Sequence, residues 1–343
     1  MYKLPLIKIS NKKIDKLKNL FTCNITNISD VSFMNCLRRI IESEIPWIAF
    51  DEIHIEENNT LLHNEFIQHR IELLPLYINY EKIYDHLEKN FKLTKFHDDK
   101  KKKEARITLY SNEFENINKI IPPYNNYHFP ITKLCYGQKI ALNAKLNIDI
   151  GKTHAKYSPT AVCLYEYEEF ETNIKTKYNF KIESCGHVFG PIEPDKIFIL
   201  GLVVMFYKLH ILECDLLEKK CEAIKFNKKY LSDISDVIFK FLSKKNKDYK
   251  INSEVEKLIH IVKEGNTIKI KILNEDYGIG NLFTEYLSLF EENISYIANN
   301  KIHIKDNYII IFAQLIKNND EKTIHKILLK LIKSLKSIIK KII

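Results

Sequence analysis

Apolar residues first recur at helical spacing between 29 and 45, where Val31, Met34, Leu37, Ile41 and Ile45 fall on one face. Asp30 is a capping residue type at the start of that run, and Pro46 stops it. The rhythm then changes, and Ile48, Phe50, Ile53 and Ile55 make 47–55 strand-like. Asn58-Asn59 supplies a turn, after which Leu62, Phe66, Ile67, Arg70 and Leu73 form a second helical pattern that Pro75 ends. With an apolar strand at 20–25 ahead of them, these patterns predict the order strand, helix, strand, helix.

Between 77 and 170 the pattern is short and β-like, with runs at 105–110, 139–146 and 160–167 punctuated by Pro122-Pro123, Pro130 and Pro159. The lysine run at 100–103 reads as a solvated loop, and the whole segment as a small β-rich insertion. After a strand at 178–183, Pro194 and Asp195 open a long apolar helix through Leu200, Val203, Val204, Tyr207, Ile211 and Leu217. Such a helix belongs in a core or an interface. The polar, partly helical stretch 219–263 reads as a linker. Alternation then returns at Ile268, Ile270 and Ile272, a helix starts near Asn281, and an apolar strand covers 308–313. The last helix repeats Ile324, Ile327, Leu328, Leu331, Leu335, Ile338 and Ile342, with lysines opposite.

The two ends thus share one order of elements. Asn24-Ile25-Thr26-Asn27 leads to Asn35-Cys36-Leu37 in the first, and Leu273-Asn274-Glu275-Asp276 leads to Asn281-Leu282-Phe283 in the second. Glu44, Ile48 and Ala49 have loose counterparts in Glu292, Ile297 and Ala298. The expected fold class is α+β, two similar units packed as an internal pseudo-dimer with the β-rich insertion in the first.

Composition narrows the function classes. The chain has 343 residues, 45% hydrophobic and 28% charged, which fits two globular domains plus an insertion and excludes a disordered chain. Net charge is +9, yet only Arg38, Arg39, Arg70 and Arg106 of the 53 basic residues are arginine. A Lys-, Ile- and Asn-rich chain of this kind reflects an AT-rich genome, so the charge is a weak pointer to nucleic acid and each arginine is the more informative cation. None of the seven cysteines forms a C-x-x-C or C-x-C pair, which offers no zinc ribbon or thioredoxin-like motif and predicts free thiols in a reducing compartment. The first ten residues lack a leader's apolar core, and the most apolar stretch, 197–207, is shorter than the roughly 20 residues of a membrane span. A soluble intracellular protein is expected.

Most chemistry-bearing patterns have plain readings. Gly278-Ile279-Gly280-Asn281 lacks the third glycine and the lysine of a nucleotide loop and reads as a tight strand-to-helix turn. His63 and His69 are six apart and do not share a helical face around Glu65. Cys185-Gly186-His187 has no third partner for nucleophilic catalysis. Arg38-Arg39 is the exception. Adjacent helical residues point about 100° apart, and paired arginines beside an apolar stripe suit bidentate contacts to the carboxylates of a packed partner.

Asn35-Cys36-Leu37-Arg38-Arg39-Ile40-Ile41-Glu42-Ser43-Glu44-Ile45-Pro46 resembles the signature of the third-largest subunit of RNA polymerase II and its archaeal D-subunit relatives, an Asn-Ala-Leu-Arg-Arg helix followed by Glu-Ile-Pro. The likeness continues through 53–57, 61–65, Phe66-Ile67-Gln68-His69-Arg70-Ile71 and Leu74-Pro75-Leu76. It resumes at Gly137-Gln138-Lys139-Ile140 and Gly151-Lys152-Thr153-His154-Ala155-Lys156-Tyr157-Ser158-Pro159-Thr160-Ala161. Residues 274–282, Asn-Glu-Asp-Tyr-Gly-Ile-Gly-Asn-Leu, resemble the Glu-Asp-His-Thr-Leu-Gly-Asn-Leu turn of the small eleventh (archaeal L) subunit, with Tyr277 and Gly278 replacing His and Thr. Lys301-Ile302-His303 is similar to its Lys-x-x-His stretch without the following proline.

The resemblance implies a fusion of two polymerase subunits, similar to those of large DNA viruses, in a non-catalytic assembly platform of DNA-dependent RNA polymerase. It divides the chain into a dimerisation domain at 1–76 plus 171–222, an insertion at 77–170, a linker at 223–263 and a second dimerisation domain at 264–343. Implied partners are the second-largest subunit, the largest subunit and small subunits, with DNA met only in the assembled complex and no membrane. Asn35, Arg38, Arg39, Glu65, Arg70, Asn281, Leu282 and Phe283 take subunit-interface roles by the resemblance, Arg39 matching the arginine that meets the second-largest subunit. No catalytic, cofactor or metal residue is carried over, because the insertion has only Cys135 and Cys163 where many relatives hold a cysteine cluster. Cys36 and Trp47 also depart from the family residues. A viral origin would put the chain in the host cytoplasm or the virion, with the nucleus as the alternative. A free-standing basic nucleic-acid-binding protein and a Cys185/His187 hydrolase stand as rival readings.

Overall fold

The computed structural model describes residues 7–15, 19–28, 31–76, 87, 89–100, 105–115, 128–168, 176–185, 193–224, 226, 229–247, 257–290, 294–303, 305–316 and 321–343. Asp30, Lys101, Lys102, Lys103, Pro122, Pro123, Gly186, His187 and Glu292, named above, lie outside them.

A hairpin of β1 (Lys8–Asp15) and β2 (Leu20–Ile28) leads into α1 (Val31–Ser43). Phe33, Met34, Cys36, Leu37, Ile40 and Ile41 bury one face of α1, the spacing its apolar stripe requires. Then follow β3 (Pro46–Asn58), α2 (Asn64–Glu72), β4 (Asn90–Phe96), β5 (Ile107–Tyr110), β6 (Pro130–Leu134) and β7 (Lys139–Ile150). They make two small sheets, ordered β3-β7-β4 and β5-β6. Next come β8 (Thr160–Glu168), β9 (Thr176–Ser184), α3 (Pro194–Leu216) and α4 (Lys229–Lys247). The C-terminal part runs β10 (Ile259–Glu264), β11 (Thr267–Leu273), α5 (Tyr277–Phe290), β12 (Ile294–Asn300), β13 (Tyr308–Leu315) and α6 (Glu321–Ile342). The described residues are a mixed α+β fold.

Two four-stranded antiparallel sheets carry the same topology, β1-β2-β9-β8 and β10-β11-β13-β12. Each runs hairpin, helix, hairpin, helix, so that α1 corresponds to α5 and α3 to α6. This revises the expected correspondence. The strand at 47–55 and the helix at 62–73 belong to the inserted part, and β8, expected there, is an edge strand of the first four-stranded sheet. The insertion begins directly after α1 and ends before β8. Local patterning shows that a run is a strand, but the sheet it joins is decided by pairing across long sequence distance. The stretch taken as a linker is also structured. It contains α4, where Val237 and Ile238 are buried and Phe239 packs 5.4 Å from the ring of Tyr207, and it contains β10.

The helices lie against one another, α1 on α3 and α5, and α3 on α6. Gly201 makes the α1–α3 crossing possible, because a Cβ there would stand 2.3 Å from Cγ1 of Ile41. Pro194–Leu216 is apolar and long enough to cross a membrane by length and composition, more than the 197–207 stretch alone predicted, but 78% of its most apolar window is buried inside the chain. Its neighbours are other helices and the sheet strands β2, β9 and β10.

Candidate functional site

Where α1, α3 and the start of α5 meet, charged side chains converge. Lys208 stands in an otherwise uncharged apolar stretch of α3, and its ammonium pairs with Glu44, at the end of α1, and with Glu275 at 2.8 Å. All three side chains are at least four-fifths buried. A lysine in such a place needs carboxylate partners, since an unpaired buried ammonium would lose its proton instead. Burial works against the charge of Lys208, but the two carboxylates outweigh it and raise its pKa. Burial also pushes against ionisation of Glu44, yet the charge and hydrogen bond of Lys208 hold its carboxyl below the usual value. Glu275 is left with the opposite balance. Burial and the nearby Glu44 charge outweigh Lys208 and push it up to about 7.

The next residue immediately precedes α5. Asp276 accepts a hydrogen bond from its neighbour's amide, Tyr277 N–H, at 2.8 Å, and its backbone carbonyl accepts from Gly280 N–H at 3.0 Å. A carboxylate at a helix N-terminus also faces the positive end of the dipole. Three cations surround it, Lys152 at 3.1 Å, Arg39 at 3.7 Å and Lys301 at 3.8 Å. Burial would raise its pKa, but the Tyr277 amide and Lys152 hold it at about 2. Lys152 is brought there by Gly151, whose Cβ would stand 2.9 Å from the Glu42 carbonyl, and by its own N–H, which donates to Ser43 O at 2.8 Å. A cavity of about 210 Å³ opens beside these groups, lined by Lys208, Lys152 and Glu275 on its polar side and Leu212, Phe241 and Leu258 on its apolar side. The arrangement holds elements together. Among the described residues around it no serine, threonine or cysteine nucleophile is paired with a base.

The residues expected at subunit interfaces divide between surface and core. Asn35 is half-buried and its Oδ1 accepts from Tyr165 Oη–H at 2.8 Å. Arg38 turns along its own helix to Glu42 at 2.6 Å. Arg39 is the more open of the pair, with 45% of its side chain exposed above Asp276. Glu65 and Arg70 are exposed on α2, and Arg70 donates to the Pro130 carbonyl at 2.8 Å, fixing α2 to β6. Asn281 is exposed and accepts from Asn299 Nδ2 at 2.8 Å. Leu282 and Phe283 are fully buried within this chain, in the apolar cluster that α5 helps to form. Lys208, Glu44, Glu275, Asp276 and Lys152 were not among the expected residues. Glu44, Lys152, Glu275 and Asp276 stand inside the quoted motifs, and for Lys208 the signal available was a charged residue in mid-helix on an apolar stretch.

With this geometry in hand, known proteins supply the class. The family described as the RNA polymerase Rpb3/Rpb11 dimerisation domain matches residues 28–209, more than half of the chain. The chain belongs to that family. It is similar to DNA-directed RNA polymerase subunit Rpo3 of Methanobrevibacter smithii, 31% identical over 183 residues, covering 50% of this chain and 64% of that one. Rpo3 of Methanocaldococcus jannaschii is 28% identical over 192 residues, 56% of this chain and 87% of that one. DNA-directed RNA polymerase II subunit rpb3 of Dictyostelium discoideum is 30% identical over 179 residues, 46% of this chain and 57% of that one. The chain thus spans just under two thirds of the M. smithii relative.

Proposed function

We propose that this chain is a non-catalytic assembly subunit of a DNA-dependent RNA polymerase, combining a third-subunit-like and an eleventh-subunit-like unit as an internal pseudo-dimer. The observation that carries the reading is the repeated topology. Two sheets of the same strand order contribute paired helices to one core, and the matched family segment, 28–209, covers most of the first unit with its insertion and none of the second. On this reading the first unit is β1, β2, α1, β8, β9 and α3, the insertion runs from β3 to β7, and the second unit is β10 to α6. Nucleotidyl transfer needs a metal held by a carboxylate cluster, which a partner subunit supplies. The Lys-, Ile- and Asn-rich composition and the fusion itself agree with a viral polymerase working in the host cytoplasm.

The second-largest subunit is the partner proposed for the outer surface of the first unit and its insertion. Arg39 presents an open guanidinium on α1, and in the insertion α2 with its flanks exposes Leu61, Phe66 and Leu73 beside Glu65 and Arg70. Apolar anchors ringed by charge are the usual makeup of a protein interface. The test is co-expression with the second-largest subunit from the same genome. Arg39→Ala should leave the thermal melt unchanged and weaken capture by at least about tenfold, in line with the ~2 kcal/mol or more that losing one partner of a close charged contact costs. Arg39→Lys should restore capture only in part, because an ammonium does not reproduce two parallel hydrogen bonds. Failure of the intact chain to capture that subunit, with salt-sensitive DNA binding by the chain alone, would favour the basic nucleic-acid-binding alternative.

A further inference from the structure

Among the described residues, one group of three histidine and cysteine side chains converges, and no part of the assembly reading uses it. His210 and Cys214 stand one turn apart on the same face of α3. The helix ends at Leu216, and Glu218, with φ +53°, turns the chain back on itself. Lys219 N–H donates to Cys214 O at 2.9 Å in that reversal, which returns Cys221 to the side of Cys214. The two sulfurs and a ring nitrogen of His210 all lie within 4.8 Å of one another, and Cys214 Sγ is 3.8 Å from the His210 ring nitrogens. The geometry points to a zinc site of the Cys2His type, formed by His210, Cys214 and Cys221, that ties the end of α3 to the segment leading to the second unit.

Four features support this assignment. Ligands held tetrahedrally 2.0–2.3 Å from zinc stand ~3.3–3.8 Å apart, so the pair on the helix is already at the required separation and Cys221 needs to move by about 1 Å. Two thiols and an imidazole are a soft donor set that selects zinc over magnesium or calcium. The imidazole is oriented as a ligating histidine usually is, with Nε2 3.1 Å from the Glu222 carbonyl, which leaves Nδ1 as the lone-pair atom. That lone pair already faces a cation, because Lys336 of α6 lies 2.9 Å from Nδ1 and also pairs with Glu213. Zinc entry therefore moves the ammonium fully onto Glu213 and releases one proton from each thiol to solvent, as two thiolates and a neutral imidazole take the metal. A water completes the four positions. The ring of Phe206 stacks on His210 and closes the site on its inner side.

The purified full chain should retain one equivalent of zinc after exhaustive dialysis. Its cobalt-substituted form should show the thiolate-to-metal absorption band of a two-sulfur tetrahedral site. Cys221 is only half-buried and lies outside any helix or strand, so Cys221→Ser should fold normally and hold zinc at least about tenfold more weakly. Cys135→Ser, in the insertion, should leave binding unchanged. Lys336→Gln removes the competing cation and should tighten binding severalfold. Zinc retained equally by Cys221→Ser, or lost equally in Cys135→Ser, would overturn the site, as would a cobalt spectrum without the thiolate band.

Discussion

Lys208 is the residue on which the junction depends, because a single buried ammonium serves two carboxylates from different elements. Removing one partner of a buried charged group costs about 3–5 kcal/mol, whereas replacing the whole set by neutral groups is often tolerated. Lys208→Met should therefore destabilise the chain strongly, and adding Glu44→Gln and Glu275→Gln should restore most of the loss in chemical denaturation. The same triad gives a pH dependence with a definite sign. Glu275 has a folded-state pKa of about 7, above that of an unfolded glutamate, so it favours folding most at low pH and that contribution is lost as pH rises through 7. Lowering pH from about 8 to about 6 should add about 1 kcal/mol through this group, an increment that Glu275→Gln abolishes. Asp276 acts in the opposite sense. Its pKa is depressed to about 2, so its contribution is present above the normal aspartate range and disappears only as pH falls toward 2. A melting temperature that fell between pH 8 and pH 6 in the intact chain, with no difference from Glu275→Gln, would remove Glu275 from this role.

At the scale of elements, the α1–α3 crossing is set by one glycine. A methyl at Gly201 would overlap Ile41 Cγ1, and neither helix can retreat without breaking its other contacts. Gly201→Ala should cost about 1–3 kcal/mol by overpacking. A Gly201→Ala chain as stable as the parent would mean that the helices have slack. The helices themselves were legible in the sequence because their apolar stripes are long and regular, as Met34, Leu37 and Ile41 show in α1 and Leu328, Leu331 and Leu335 in α6. The strands were harder to read. β1 and β12 are edge strands whose residues are mostly not buried, so they lack the apolar run that marks β11 or β13. β8 was read as a strand but put in the wrong sheet, since Cys163 and Tyr165 give no hint that their partners are Ile182 and Phe180 and not residues of the insertion. The site followed the same division. Arg39 and Asn281 stood inside recognisable motifs, whereas Lys208 acquires meaning only when Glu44 and Glu275, 164 and 67 positions away in the chain, are brought to it.

For the whole molecule, the question is whether one core or the connection between units keeps the halves together. The contacts favour the core. Gly278 at the start of α5 sits against Cys36 of α1, with a Cβ there 3.7 Å from its sulfur, α3 lies along α6, and Lys208 and Lys152 pair with Glu275 and Asp276. The covalent connection then acts mainly by raising the effective concentration of each half for the other. A protease site inserted between 247 and 257 tests this directly. After cleavage at micromolar concentration the two fragments should still co-elute in gel filtration, because a buried apolar interface reinforced by paired charges binds more tightly than that. Their melting temperature should fall on dilution, whereas that of the uncut chain should not, since only the cut form has a bimolecular folding equilibrium. Lys208→Met should shift the cut fragments toward separation at concentrations where the parent pair stays associated. Fragments that part immediately on cleavage, each retaining its own fold, would show that the shared helices do not form a common core and that the link alone holds the units side by side.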